Sequence, residues 1–271
     1  MFPLNWGASG NMSQRGFTLI EMAMVMIVVG LMVGGGLFAL APVIDKARVN
    51  QTNATLDQVE SALELFVIRN QRLPCPADGA QINTSGTYGV ENCGPIAESN
   101  AVIPWKTMGL DESYSIDGWG TRLSYWPSGT LGIGSSLTSA PQMERTGGTN
   151  YPSGTYLTVT DVVSKQTVTS TTSGADRAAY VLVSHGKSQL YGWSKSGKQV
   201  LPNGTLNLTN KQCNNNPAGC ALGTGTSFAS GGPIGPYPPQ PNTPTYFDDI
   251  VRWRSPAMMI QLCGTGSCGN P

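Results

Sequence analysis

Charge is scarce in this chain. Of 271 residues, 12% are Asp, Glu, Lys or Arg, and the 16 basic residues balance the 16 acidic ones. Ordinary soluble domains carry about 25%. With no net charge and no basic tract, nothing signals nucleic-acid binding. Histidine is scarcer still, since His185 stands alone. The paired short cysteine spacings and the histidine partners usual in a zinc site are both missing. No Gly-x-Ser-x-Gly elbow is present, and His185, beside Gly186 after an apolar stretch, reads as a strand-end residue and not a general base. Gly264-x-Gly266-x-x-Gly269 matches a dinucleotide fingerprint in letters only, because no helix follows to offer its positive end to a phosphate. No catalytic residue is expected, and the chain reads as something other than an enzyme.

What is present is a long apolar run. From Phe17 to Ile44 the one formal charge is Glu21. A secretory signal peptide has a shorter apolar core, of roughly 7–15 residues. A plain anchor fits the length, since about 20 apolar residues span a bilayer. It does not explain an acid near the start of the run, where a charge in hydrocarbon costs about 2.5–3.5 kcal/mol.

Arg15-Gly-Phe-Thr-Leu-Ile-Glu21, followed by Met22 to Ile44, resembles the processing and assembly signal of type IV pilins and type II secretion pseudopilins. The resemblance implies cleavage by a prepilin peptidase between Gly16 and Phe17, with methylation of the new amino terminus at Phe17. It implies that Glu21 pairs in the filament with the terminal amine of a neighbouring subunit, which would offset the burial of its charge. Arg15 would hold the leader on the cytoplasmic side. Met12-Ser13-Gln14-Arg15-Gly16 is by itself a short leader of the family kind, so Met12 is a second candidate start and yields the same mature protein.

Beyond Asp45 the pattern becomes amphipathic. Val49, Thr52, Leu56, Val59, Leu63, Phe66 and Val67 share one stripe, with Asn50, Asp57, Glu60, Glu64 and Arg69 on other faces. This predicts a helix continuing to about Asn70, ended by Pro74 and Pro76. Gly34-Gly35-Gly36 and Pro42 are expected to weaken or bend the earlier part. The stripe calls for a sheet to cover it. Strands are predicted at Leu123–Trp126, Thr155–Val163, Ala179–Ser184 and Gln189–Trp193. Residues 205–245, rich in Gly, Pro, Asn and Thr, read as an irregular excursion. Tyr246–Leu262 is expected to return to the core.

All six cysteines, Cys75, Cys93, Cys213, Cys220, Cys263 and Cys268, lie beyond the apolar run. An even number in an oxidising compartment reads as disulfides. Sequential pairing, Cys75–Cys93, Cys213–Cys220 and Cys263–Cys268, is expected because each pair closes a local Gly/Pro/Asn-rich loop. Asp117-Gly-Trp-Gly-Thr-Arg-Leu-Ser-Tyr and Asp248-Asp249-Ile-Val-Arg-Trp253 are similar to segments of the major pseudopilin of type II secretion, in which a late Asp-containing loop binds calcium. That likeness makes Asp117, Asp248 and Asp249 candidate calcium ligands and calcium the one candidate cofactor, although calcium wants six to eight oxygens. The bland readings are a turn at Asp117 and a cap or solvated pair at Asp248-Asp249.

The expected organisation is a leader at 1–16, a transmembrane and filament-core helix at 17–44, its amphipathic continuation at 45–70, and a globular β-rich domain at 71–271. The fold class is α+β, a long N-terminal helix on an antiparallel sheet with a loop-rich, disulfide-bearing C-terminal region. The implied role is a structural subunit, minor because of its large insertions, of a type IV pilus or type II secretion pseudopilus. Its partners would be the prepilin peptidase, other pilin or pseudopilin subunits, the inner-membrane assembly platform and, before assembly, membrane lipid. It would cross the bacterial inner membrane once, with the globular domain outside the cytoplasm, before entering the filament. The alternative is a membrane-anchored adhesin or ligand-binding module exported with the same signal.

Overall fold

The computed structural model describes residues 16–70, 72–94, 96–127, 157–164, 166–169, 177–202, 209–215, 227–234, 237 and 246–262, with the side chains of 33, 35–41, 98, 209, 227, 256 and 260 outside that description. The expected leader up to Arg15, most of the 205–245 excursion, and Cys220, Cys263 and Cys268 lie outside the described residues. Two compact units are formed, Met1–Lys46 and Ala47–Pro271.

In the first unit helix α1, Leu19–Asn70, begins, and Pro42 lies inside it. Its start is fixed by Thr18, whose hydroxyl accepts from the Glu21 N–H at 3.3 Å and whose carbonyl accepts from Glu21 and Met22. Phe17, Leu19, Ile20, Met24, Met26 and Leu31 are exposed. Among the described residues no helix is long and apolar enough to cross a membrane. Residues 33 and 35–41, part of the expected 17–44 span, lie outside the described side chains.

In the second unit α1 presents the predicted stripe. Thr52, Leu56, Val59, Leu63, Phe66 and Val67 are buried, and Val49, the first residue assigned to it, is 36% exposed. Glu60 departs from the expected polar face. It is buried, accepts from Arg254 at 2.8 Å, and receives the Tyr180 hydroxyl. Burial raises the Glu60 pKa in spite of the Arg254 charge.

The stripe packs on a five-stranded antiparallel sheet. Its strands are β1 (Ala77–Asp78), β2 (Ala101–Val102), β3 (Ser124–Pro127), β5 (Tyr180–Ser184) and β7 (Ile250–Arg254), in the order β1-β2-β3-β5-β7. Alternation along the strands divides the core. Tyr125, Tyr180 and Leu182 join Leu56, Val59, Leu63 and Val67 in the cluster on the helix side. Trp126, Val181 and Val183 join a second cluster with Leu157, Val159 and Phe228. That second layer is a parallel pair, β4 (Thr158–Asp161) with β6 (Ser227–Ser230), which the expectation of a single antiparallel sheet did not include.

Two further expectations are corrected. Gln189–Trp193 is not a strand: Gln189 and Tyr191 have φ of 59° and 70°, left-handed values that end any extended run. Only Trp193 bridges, to Arg122 and to Gln199. The excursion at 205–245 is not wholly irregular, since it contains helix α2 (Thr209–Cys213) and strand β6. The C-terminal return holds as β7 and helix α3 (Pro256–Leu262), whose Met259 is buried in the helix-side core.

The Asp117–Gly120 turn sits against α1. The Gly118 N–H donates to the Thr52 hydroxyl at 2.9 Å, and a Cβ on Gly118 would meet the Arg48 carbonyl oxygen at 2.4 Å. Gly118→Ala is therefore expected to destabilise the second unit by about 1–3 kcal/mol, the usual cost of overpacking against backbone that cannot move. Urea denaturation read by tryptophan fluorescence measures it, and an unchanged midpoint would show that the turn can retreat.

Candidate functional site

The residues singled out by the sequence fall into three places. The first is the head of α1. Gly16, Phe17 and Thr18 precede the helix, and Glu21 lies in its first turn. Thr18-Leu19-Ile20-Glu21 has the Ser/Thr-x-x-Glu form of a capping box, and the Glu21 N–H donates to the Thr18 hydroxyl as that motif requires. An acid here also sits at the positive end of the helix. Glu21 thus has a local reason for its position that the sequence reading did not weigh.

The second place is the Cys75–Cys93 bridge, which forms as expected, with Cα atoms 5.2 Å apart. Glu91 lies beside it. Its carboxylate takes two bonds from Arg72 at 2.9 Å and one from the Cys75 N–H at 3.0 Å. Burial pushes the Glu91 pKa up, but the Arg72 and Cys75 donors outweigh it and hold it below the ordinary value. Cys75, Glu91 and Cys93 are close enough to share a metal ion, yet the two sulfurs are bonded to each other and the group is a bridge. Cys213 is also disulfide-bonded, its partner outside the described residues.

The third place holds the carboxylates proposed for calcium. Asp117 is buried and takes four donors from its own neighbourhood: the N–H groups of Trp119 and Thr121 and the hydroxyls of Thr121 and Ser184. This is the turn-forming use of an Asp. Asp248 and Asp249 instead share a cation that the sequence reading missed. Lys211, on α2, is fully buried and donates to Asp248 Oδ1 at 2.6 Å, to Asp249 Oδ1, and to the His185 carbonyl at 3.0 Å. All three ammonium protons are used. Asp248 also accepts from the Ser188 N–H at 2.7 Å and from its hydroxyl at 2.9 Å, and Asp249 Oδ2 accepts from Asn214 Nδ2 at 2.9 Å. Asn214 in turn exchanges two bonds with the backbone of Ala229, tying α2 to β6. A calcium ion at Asp248 and Asp249 would have to displace Lys211.

Burial, and then the two carboxylates, set the charges here. The carboxylates hold the Lys211 pKa above its ordinary value in spite of burial. Burial pushes Asp249 up to about 6 against the pull of Lys211. His185 is buried with Nε2 2.8 Å from the Ser124 hydroxyl, and burial together with the Lys211 charge lowers its pKa to about 3. A neutral, enclosed imidazole with no carboxylate partner is a packing residue.

These shifts act in opposite senses. The folded chain keeps His185 neutral, while the unfolded chain protonates it below its ordinary 6.5. Stability from this group is complete above that value and drains away as the pH falls toward about 3. Asp249 gains stability as the pH falls from about 6 toward its ordinary 3.8, because only the folded chain then binds the proton. His185→Gln should therefore lose less stability than the parent chain on going from about pH 7 to about pH 4. Parallel urea titrations at the two pH values check this, and equal losses would show that His185 is not held neutral.

The model of the prokaryotic N-terminal methylation motif matches residues 11–37, the segment that contains Gly16, Phe17 and Glu21. No curated protein and no solved structure matches the chain. The chain carries the prokaryotic N-terminal methylation motif, the signal of type IV pilins and pseudopilins, which implies an exported, membrane-associated protein processed by a prepilin peptidase.

Proposed function

We propose that the protein is a structural subunit, in a minor position, of a type IV pilus or a type II secretion pseudopilus. The observation that carries this reading is the methylation motif at residues 11–37, running into a helix whose apolar side chains Leu19, Ile20, Met24, Met26, Leu31 and Met32 are exposed, with Glu21 the lone charge between Phe17 and Ile44. In this reading Met1–Gly16 is removed, Phe17 is methylated, residues 17–44 serve first as the inner-membrane span and then as the filament core, and the rest stays outside the cytoplasm. Neighbouring pilin subunits and the inner-membrane platform are the partners. The minor position is favoured by the amount of chain between the strands, which crowds a regular lattice less at a tip or at sparse sites.

Glu21 then has two jobs that can be separated. Its backbone and side chain suit the capping box, and its charge would meet the terminal amine of the next subunit in hydrocarbon. Glu21→Gln preserves a side chain suited to the capping box and removes only the charge. Glu21→Ala removes both. Both variants are expected to be cleaved after Gly16 yet to be missing from sheared filaments, as measured by immunoblot of the filament and membrane fractions. Assembly of Glu21→Gln at the parental level would leave the local cap as the whole role of Glu21. Surface activity that persists in both variants without filaments would favour the anchored adhesin.

Calcium at Asp248 and Asp249 is a separate question, put by adding calcium to the metal-free protein. With Lys211 already between the two carboxylates, the melting temperature is expected to stay where it is. A rise would mean that the ion displaces the lysine.

A further inference from the structure

Lys211, Asp248, Asp249 and Asn214 form a buried group that the proposed filament role does not use. Lys211 and Asp249 have no exposed side-chain surface, and Asp248 has only 10%. Two carboxylates around one ammonium leave an excess negative charge at a site whose chain neighbours Cys213 and Phe247 belong to an apolar cluster with Val162 and Ala229. Burying ions in this way is expensive even when they are paired, and joining two of them covalently would remove both charges.

We propose that Lys211 Nζ and Asp249 Cγ join in an intramolecular amide (isopeptide) bond, with Asp248 carrying the proton and Asn214 polarising the carboxyl under attack. The four parts are in position. The amine lies in hydrogen-bond contact with Asp249 Oδ1, Asp248 Oδ1 is 2.6 Å from the same nitrogen, and Asn214 Nδ2 is 2.9 Å from Asp249 Oδ2. Asp248 is itself held by both the N–H and the hydroxyl of Ser188. The neighbouring Gly186 has φ of +65°, and a Cβ there would strike the Asp248 carbonyl oxygen at 2.1 Å, so the loop closes tightly over the pair.

The step balances without a co-reactant. Lys211 gives one proton to Asp248, and its nitrogen lone pair attacks Asp249 Cγ. The Asn214 N–H stabilises the negative charge that develops on Oδ2, as oxyanion donors do. The Cγ–Oδ1 bond then breaks, and Oδ1 leaves as water with two of the three ammonium protons, one of them passed through Asp248. The third remains on the amide nitrogen and faces Asp248, which ends as it began. Burial raises the pKa of Asp249, which eases the transfer of those two protons onto Oδ1 before it leaves. Fixing amine and carboxyl in contact supplies effective molarities on the order of 10⁵ M or more, and a site closed to water resists the reverse hydrolysis. The product would staple α2 to the residue that precedes β7.

The test is the intact mass of the purified full-length chain, with disulfides reduced. It should be lower than the sequence mass by one water, and tryptic digestion should leave Lys211 uncut in a branched peptide that also contains Asp249. Lys211→Arg keeps a cation that cannot form the amide, and Asp248→Asn removes the proton acceptor. Both should regain the missing water. A parent chain of full mass, cut after Lys211, overturns the proposal. So does a water loss that persists in Lys211→Arg, because it would come from dehydration elsewhere.

Discussion

Everything in the second unit depends on β5 being buried along its whole length. Tyr180-Val181-Leu182-Val183-Ser184 has no solvent on either face, so the chain must supply an apolar layer on each side. The α1 stripe covers one side, and the β4–β6 pair with Trp126 covers the other. Trp126 and Phe228 meet there with ring centroids 5.0 Å apart. The segment around Phe228, drawn from a Gly- and Pro-rich stretch, is therefore part of the core and not ornament. Removing it would expose Val181 and Val183, the apolar residues of β5 on that face.

The layers are held in register by charge as well as by area. Arg252 and Arg254 of β7 reach α1 through Asn53 and Glu60, at 3.0 and 2.8 Å. They occupy the helix-side positions of β7, where an apolar residue would be the simpler choice. A hydrophobic stripe alone tolerates sliding of a helix along a sheet, whereas an Arg–Glu contact with one buried partner does not. Asp117 does the same at the other end of β5, accepting from Ser184 while its turn offers Gly118 to Thr52. The scarcity of charge across the chain thus coincides with unusually committed charges in the interior.

The sequence made the long elements legible and the short ones not. The α1 stripe repeats a period over enough residues to be read, β3, β4 and β5 stand out by their β-branched and aromatic residues, β7 is read only as part of a return to the core, and the Cys75–Cys93 pair shows as the closure of a local Gly/Pro/Asn-rich loop. Strands β1 and β2 have two residues each, too few to show alternation. The stretch 189–193 has strand-like composition, but composition does not encode the left-handed backbone of Gln189 and Tyr191. Glu60 and Lys211 were misread or missed for one reason: a charged side chain reads as solvated unless its partner is known, and their partners are 194 and 37–38 residues away. Asp117, Asp248 and Asp249 were found, but their donors are side chains and backbone groups that only the fold brings close.

The capping geometry at Glu21 changes what the opening motif can be made to mean. A lone acid in an apolar helix invites the argument that it must meet a positive charge on another subunit. Thr18 weakens that argument as a deduction, because a Thr-x-x-Glu start would place an acid there in any helix. It does not weaken it as physics, since capping satisfies backbone N–H groups and leaves the carboxylate charged. In water that charge needs nothing further. In hydrocarbon it needs a counter-ion, and within Phe17–Ile44 the sequence supplies no second charge. The requirement for an external partner therefore rests on the membrane or filament surroundings of the helix, with the cap fixing where along the helix that partner must arrive.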